Sequence, residues 1–316
     1  MGHFLGIDLG GTNIVAGVMD GEYRIIRKSQ RPTHAKRSFE AIVADMAAAA
    51  MDALSGAGLA PGDVPYVGIG VPSCVDPVTH RLSFANNLGW RDVDVVAEFQ
   101  KSWNVPIHIA NDADCAALGE CHAGAGQAYD HILMITLGTG VGGGIVLHKK
   151  LFLGGEGYGV EPGHTLLVED GFLCTCGQKG CLEAYASVMG LIRQSIDMMM
   201  VYPDSLMWEE CGHDLNKVEG RTAFEAAKRG DPAGKMVVDQ YIRYLAAGLA
   251  SMINLLRPQA IIVGGGVSNA GEFLLEPLRR EVARRVYSGD TLPAPPIVQA
   301  ELGNDAGVIG AALLGV

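Results

Sequence analysis

The sequence predicts an α/β protein, on the evidence of element order, a repeated motif and length. Over the first 110 residues, apolar segments follow the order β-β-β-α-β-α-β. A strand that ends at Asp8 is followed by a Gly/Thr turn and a second strand, and the same order recurs after the strand that ends at Leu137. Because the two turns occupy matching positions, they indicate an internal duplication. The length of 316 residues suits two domains or one large one.

The elements of the first half are predicted from their hydrophobic spacing. In the longest helix, apolar side chains recur at helical intervals from Phe39 to Leu54; Ser38 can cap its start, and Gly56 and Gly58 can end it. The predicted strands are residues 4–8, 14–19, 23–29, 64–71 and 105–110, and the predicted helices are residues 38–57, 93–103 and 113–123.

The second half repeats the alternation and ends in a helix rich in Gly and Ala, which we expect to pack closely on another element. Residues 203–220 have an irregular pattern typical of an insertion. The predicted strands are residues 131–137, 145–147, 260–263 and 297–300, and the predicted helices are residues 184–200, 222–229, 233–256, 273–286 and 307–314.

The two Gly/Thr turns are candidate phosphate sites. Their residues are Asp8, Gly10, Gly11, Thr12 and Asn13 in the first turn, and Gly138, Thr139 and Gly140 in the second. The backbone N–H groups of such a turn can face an anion, and no Gly-Lys-Ser/Thr sequence follows as in a Walker loop. Asp8 is placed to hold Mg²⁺ through water, and Thr12 to bond a phosphate. An ordinary tight hairpin explains the first turn equally well.

Two further segments follow predicted strands. Gly265 lies in a Gly-Gly-Gly run, which either lets the adenine end of a nucleotide lie on the backbone or makes a tight strand-to-helix turn. Asp112 follows the strand of residues 105–110 and opens a helix, which is a common place for an active-site base. The partial positive charge of a helix N-terminus favours its carboxylate. Asp112 can equally be read as the helix N-cap, and the two roles are compatible.

One histidine and three cysteines lie within residues 164–181, namely His164, Cys174, Cys176 and Cys181. Four such ligands fit a closed tetrahedral zinc site, which is structural; the alternative is three buried thiols and a surface histidine. Glu161 and Glu183 flank the loop. Two carboxylates held there suit a hydroxyl-rich ligand, because charged acceptors make strong hydrogen bonds. The alternative is that both are solvated surface acids.

Charge and composition argue against two classes of partner. The formal charge of -11 disfavours a nucleic-acid surface, which needs a basic patch. No apolar run reaches membrane-spanning length, and no signal peptide is recognisable. We therefore expect a cytoplasmic protein without nucleic-acid or membrane partners. In that reducing compartment we expect the four remaining cysteines to be free thiols, namely Cys74, Cys115, Cys121 and Cys211.

Taken together, these motifs resemble the ROK family (repressors, open reading frames and kinases) over essentially the whole chain. The resemblance is carried by Asp8-Leu9-Gly10-Gly11-Thr12, Asn111-Asp112-Ala113, Leu137-Gly138-Thr139-Gly140-Val141-Gly142, Glu161-x-Gly163-His164 and Cys174-x-Cys176-Gly177-x-x-Gly180-Cys181-x-Glu183. It implies the actin-like ATPase fold, with two ribonuclease-H-like domains around a hinged cleft. The expected domains are residues 1–112 with 301–316, and residues 113–300 with the zinc site.

The resemblance also implies an ATP-dependent sugar kinase that uses Mg²⁺ and structural Zn²⁺ and forms a homo-oligomer, a dimer or a tetramer. Asp112 is then the base, the two turns hold the ATP phosphates, and Gly265 lies near the nucleoside. His164 binds zinc through one ring nitrogen and the sugar through the other. The further sugar ligands are Asn87, Asn111, Glu161 and Glu183.

The acceptor sugar is left open by one departure from the family pattern. Many members have glycine after Gly70-Val71-Pro72, where this chain has Ser73, near the sugar. Phosphorylation of glucose at O6 is the favoured reaction, with N-acetylmannosamine, fructose, allose or mannose as alternative acceptors. The other alternative is a non-catalytic sugar sensor or a repressor. We expect a repressor to carry a helix-turn-helix region before the first turn, where seven residues precede Asp8.

Overall fold

The computed structural model describes residues 2–287, 289 and 291–316. It divides into two units, of which the first contains the described residues up to Leu133 together with Gly143–Val160 and Glu301–Val316. The second contains Met134–Gly142 and Glu161–Ala300. The boundary predicted at Asp112 differs, because residues 113–133 and 143–160 lie with the first unit.

From residue 2 to Ala123, the chain forms seven strands and three helices. The strands are β1 (Phe4–Leu9), β2 (Asn13–Met19), β3 (Ile25–Pro32), β4 (Val67–Val71), β5 (Leu82–Ala85), β6 (Trp90–Val93) and β7 (Ile107–Asn111). The helices are α1 (Phe39–Gly56), α2 (Val95–Gln100) and α3 (Asp112–Ala123).

The first sheet places the ends of three strands at one edge. Its order is β3-β2-β1-β4-β7, with β1 antiparallel to β2 and parallel to β4, and β4 parallel to β7. Asp8 pairs with Gly70, and Val71 pairs with Asn111. Because the carboxyl ends of parallel strands meet at the same edge, Asp8, the loop after Val71 and Asn111 lie together.

The described residues of the remaining chain form a second sheet and seven helices. The elements are β8 (Ile132–Leu137), β9 (Val141–Leu147), β10 (Lys150–Leu151), α4 (Glu183–Ala186), α5 (Val188–Val201), α6 (Met207–Glu210), α7 (Thr222–Lys228), α8 (Pro232–Leu256), β11 (Ala260–Gly264), α9 (Glu272–Ala283), β12 (Ile297–Gln299) and α10 (Ala306–Ala312). The sheet order is β10-β9-β8-β11-β12. Both sheets have five strands and contain two consecutive strands joined by a Gly/Thr turn, as the repeated motif predicted.

Three local predictions are corrected by the structure. Strand β9 begins at Val141, so the glycines of residues 142–144, predicted as turn, belong to the strand. Strands β5 and β6 form an antiparallel pair that the sequence analysis missed. Helix α2 is therefore shorter than predicted and begins at Val95, where the Asp94 side chain accepts the N–H of Ala97. The predicted insertion contains α6 and a 3-10 turn at Leu215–Lys217.

Helix α10 packs against α3 and the first sheet at backbone distance, as its Gly/Ala composition predicted. A Cβ on Gly310 would lie 1.6 Å from the carbonyl oxygen of Cys115 in α3. A Cβ on Gly68 would lie 1.7 Å from the carbonyl oxygen of Ala311. This contact joins residues 113–133 to the C-terminal segment and explains why they share a unit.

Helix α8 provides the longest buried face of the second unit. Its N-cap Asp231 accepts the N–H of Gly234, and its C-cap Arg257 has a left-handed φ of 45°. Among its fully buried residues are Val237, Tyr241 and Leu245. Within the described residues, no helix combines the length and apolar character needed to cross a membrane.

Candidate active site

The first Gly/Thr turn is held by a buried threonine. The N–H of Gly10 donates to the carbonyl of Asn13 at 2.9 Å, which closes the turn. Thr33, fully buried, donates its N–H to the carbonyl of Thr12 at 2.8 Å and its hydroxyl to the carbonyl of Gly10 at 2.7 Å. Thr12 itself is exposed at the tip. Sequence reasoning missed Thr33, which no motif marks; the only signal is its position directly after β3.

Asp8 lies near the end of β1, beside a second carboxylate. Its burial, and secondarily the charge of Asp112, raises its pKa to about 7. The start of α10 approaches it closely, since a Cβ on Gly307 would lie 2.8 Å from Asp8 Oδ2. A bound cation would relieve both the burial and the repulsion, so the site suits a metal ion coordinated by oxygen.

Asp112 is the first residue of α3, and Asn111 is its N-cap. The Asn111 side-chain oxygen accepts the N–H of Ala113 at 2.8 Å and that of Asp114 at 3.4 Å. Asp112 Oδ1 also accepts the N–H of Ala113, at 2.8 Å. The capping interpretation of Asp112 was therefore wrong, because the preceding residue does that work. The Asp112 carboxylate lies at the positive end of a helix, which stabilises its charged form.

Ser73 and Asn87 lie in the first unit with different exposures. The Ser73 side chain is buried, and its hydroxyl oxygen lies 2.6 Å from the carbonyl of Phe84. The carbonyl of Ser73 accepts the side-chain N–H of Asn111 at 3.3 Å. Asn87 is exposed in the 3-10 turn Asn86–Leu88, where a Cβ on Gly11 would lie 3.5 Å from its Cβ. Asn87 thus neighbours the first turn, and Ser73 links β5 to Asn111.

The second Gly/Thr turn is held by the helical segments that follow the cysteines. The N–H of Gly138 donates to the carbonyl of Gly140 at 3.0 Å, and the carbonyl of Gly138 accepts the N–H of Val188 at 2.9 Å. Thr139 is exposed at the tip, like Thr12 in the first turn. Each unit therefore presents an exposed threonine on a backbone turn whose carbonyl groups accept hydrogen bonds from a neighbouring segment of the same unit.

The histidine and the three cysteines come together as the sequence predicted. His164 Nδ1 lies 3.6 Å from Cys174 Sγ, and Cys176 Sγ lies 3.7 Å from Cys181 Sγ. All four potential ligand atoms lie within 4.8 Å of one another. In a tetrahedral zinc site with Zn–S bonds of about 2.3 Å, neighbouring sulfurs are about 3.8 Å apart. The donor set and its spacing fit zinc.

The two glutamates flank this cluster within the second unit. Loss of surrounding water raises the pKa of Glu161; the His164 imidazole opposes this effect, and the Glu183 carboxylate adds to it. Glu183, the first residue of α4, accepts the Thr175 hydroxyl on Oε1 at 2.6 Å and the N–H of Val141 on Oε2 at 3.1 Å. The two carboxylates and the imidazole are close enough to influence one another.

Gly265 has a left-handed φ of 82° at the end of β11. A Cβ there would lie 2.5 Å from both the nitrogen and the oxygen of Leu137 in β8. The requirement for glycine at this position follows from that close approach to β8. Gly266, which follows, faces open space, with no atom within 4 Å of an added Cβ.

Comparison with known proteins places the chain among sugar kinases and their relatives. A glucokinase of Streptomyces coelicolor is 36% identical over 314 residues, which is 99% of this chain and 97% of that protein. A ROK family glucokinase from Streptomyces griseus, solved in complex with glucose and AMPPNP, is 38% identical with a TM-score of 0.83 and 99% coverage of both chains. The xylose repressor of Bacillus subtilis is 30% identical over 246 residues, which is 77% of this chain and 59% of the repressor.

The likeness to solved ROK kinases confirms the predicted actin-like ATPase fold. The model of the ROK family matches residues 4–315. This match spans both Gly/Thr turns, Asp112 and the cluster of one histidine and three cysteines. The chain belongs to the ROK family.

Proposed function

We propose that this protein is an ATP-dependent glucokinase, which transfers the γ-phosphoryl group of ATP to the 6-hydroxyl group of glucose. The observation that carries the proposal is its likeness, over 99% of both chains, to a glucokinase structure that holds glucose and AMPPNP. Both Gly/Thr turns, Asp112 and the two glutamates are present in this chain, which supports the proposal.

Asp112 is the base in this proposal. Its carboxylate accepts the proton of the 6-hydroxyl group while that oxygen bonds to the γ-phosphorus and the bond from the γ-phosphorus to the bridging oxygen of ADP breaks. The carboxylate lies at the N-terminus of α3, where the partial positive charge of the helix dipole interacts favourably with it. Nucleotide contacts are assigned to Gly10, Gly11, Thr12, Asn13, Gly138, Thr139, Gly140 and Gly265.

Sugar binding is assigned to Ser73, Asn87, Asn111, Glu161, His164 and Glu183. Of these, Ser73 acts indirectly, because its hydroxyl group is occupied by the Phe84 carbonyl. It fixes the position of Asn111 through its own carbonyl. Asp8 would hold Mg²⁺ through water. When bound, Mg²⁺ neutralises charge on the phosphate oxygens.

His164, Cys174, Cys176 and Cys181 are proposed to hold a structural zinc ion, on the support of their donor types and 3.6–3.7 Å contacts. When bound, zinc cross-links the loop that carries Glu161 and Glu183. We place the protein in the cytoplasm, where thiols stay reduced, and propose that it assembles as a homodimer or homotetramer.

The proposal is tested by sugar-dependent ADP release from purified, zinc-replete protein with MgATP. The panel contains glucose, mannose, fructose, allose and N-acetylmannosamine. We expect turnover on glucose, and we expect Asp112→Asn to lower kcat by about 10² to 10⁴-fold while glucose binding remains, because only the base is lost. The exposed Asp63→Asn is the matched control and should keep wild-type turnover.

A different preferred sugar would overturn the glucose assignment and leave the kinase proposal standing. Near-normal turnover by Asp112→Asn would overturn the role of Asp112. The second candidate is a sugar sensor, which the 30% identity to a xylose repressor favours. Sugar binding without ADP release on any sugar would establish that candidate instead.

A further inference from the structure

Glu183 is tied to two separate loops of the second unit. Its Oε1 accepts the Thr175 hydroxyl at 2.6 Å, and Thr175 lies between the cluster residues Cys174 and Cys176. Its Oε2 accepts the N–H of Val141 at 3.1 Å, and Val141 directly follows the second Gly/Thr turn. One carboxylate therefore joins the cysteine loop to the turn that is assigned to ATP phosphates.

The turn is built to admit this carboxylate. A Cβ on Gly140 would lie 2.4 Å from Glu183 Oε2, so a side chain there would displace it. Five residues after Glu183, the N–H of Val188 holds the carbonyl of Gly138 at the other end of the turn. The geometry of the turn is thus set by residues 183–188, and these follow the cysteine loop directly.

We propose that Thr175 is a positioning residue for the nucleotide site. The Thr175 hydroxyl group orients Glu183, and Glu183 in turn accepts the N–H of Val141 and so positions the Gly138–Gly140 turn. We call Thr175, Glu183 and Val141 together the carboxylate latch. A carboxylate has about four acceptor positions, so Glu183 can hold both donors beside the Cys174 sulfur, which lies 3.3 Å from Oε1, and still accept a sugar hydroxyl. The latch couples the metal-binding loop, and the sugar ligand Glu183, to the turn that binds phosphate.

The test compares Thr175→Val, which keeps the branched shape and removes the hydroxyl, with Thr175→Ser, which restores it. The matched control is Thr165→Val, because Thr165 lies in the same loop but its hydroxyl donates to the carbonyl of Pro162. The first readout is hydrogen exchange at the Val141 amide, measured by NMR on the zinc-loaded protein. Loss of one hydrogen bond corresponds to roughly fivefold faster exchange.

We expect Thr175→Val to exchange about fivefold faster at Val141, and Thr175→Ser and Thr165→Val to match the wild type. We also expect the Kd for MgADP, measured by calorimetry, to rise by about the same factor only in Thr175→Val. Unchanged exchange and unchanged MgADP affinity in Thr175→Val would overturn the proposal. Equal changes in Thr165→Val would also overturn it, because they would show general loosening of the loop.

The kinetic consequence rests on the proposed function. In the ADP-release assay, Thr175→Val should raise the KM for ATP with little change in kcat, because Asp112 is untouched. If no sugar supports ADP release by any variant, the proposed function fails. The hydrogen-exchange and MgADP-binding measurements still test whether Thr175 acts through the carboxylate latch. Zinc chelation of the wild type should speed exchange at Val141 as Thr175→Val does; no effect would overturn the coupling to the metal loop.

Discussion

At the scale of single residues, Asp8 makes the stability of the protein depend on pH. Its pKa is about 7 in the folded chain because of burial and then of Asp112, against 3.8 for the ordinary side chain. Between these values the folded state binds more protons than the unfolded state, so stability falls as pH rises through this window. Above pH 7, the folded state carries the full free-energy cost of ionising the buried Asp8 side chain.

Asp8→Asn removes this penalty. We expect the variant to be more stable than the wild type at pH 8, by roughly 2–4 kcal/mol in the absence of ligands, and the difference to vanish towards pH 4. Urea unfolding at several pH values measures it. Asp20→Asn is the control, since backbone N–H groups and Arg24 lower the pKa of Asp20, and it should not stabilise at pH 8. A difference that is independent of pH would contradict the prediction.

Residue types in the local sequence predicted the cluster of one histidine and three cysteines better than they predicted the capping of α3. His164 and the three cysteines are close in sequence, and glycines at 177 and 180, with φ of 89° and 81°, let the loop turn back. Asn111 and Asp112 are both good caps, so the sequence did not reveal which one caps the helix. Thr33 was missed because its contacts to the first turn depend on strand pairing, which local sequence does not display.

At the scale of secondary-structure elements, α10 depends on glycine at its contact with α3. We expect Gly310→Ala to destabilise the protein by roughly 2–3 kcal/mol, because its Cβ would lie 1.6 Å from a backbone oxygen that cannot move aside. Gly62→Ala is the control, since an added Cβ there meets nothing within 4 Å. Its effect should stay within about 0.5 kcal/mol. Equal unfolding midpoints for both variants would contradict the packing argument.

Long, periodic elements were predictable, and glycine-rich strands were not. Helices α1 and α8 match the predicted residues within one or two positions, because their apolar spacing extends over several turns. Strand β9 was predicted to begin at residue 145, since glycine usually weakens strands. Its Gly144 is there for packing, because a Cβ would lie 2.7 Å from the Cβ of Ala117. Such a reason requires the tertiary neighbour, which sequence alone does not supply.

At the scale of the whole molecule, the sequence predicted two units but placed their boundary differently. Residues 113–133 follow Asp112 in sequence order, which suggested that they open the second domain. Contacts with α10, nearly 200 residues later, place them in the first unit. The family and its fold were predictable because the motifs are dense and specific.

The cluster of His164 and the three cysteines lies wholly within the second unit, so disruption of the cluster should act on that unit. We expect Cys181→Ser to lose zinc, measured as metal content per chain, and to speed hydrogen exchange across residues 161–187. Helices α3 and α10 of the first unit should keep their protection, because no cluster residue belongs to that unit. Cys211→Ser is the matched control, since Cys211 is equally buried and donates to the carbonyl of Trp208, as serine also can. Full zinc content in Cys181→Ser, or equal loss of protection in both units, would contradict a structural metal site confined to the second unit.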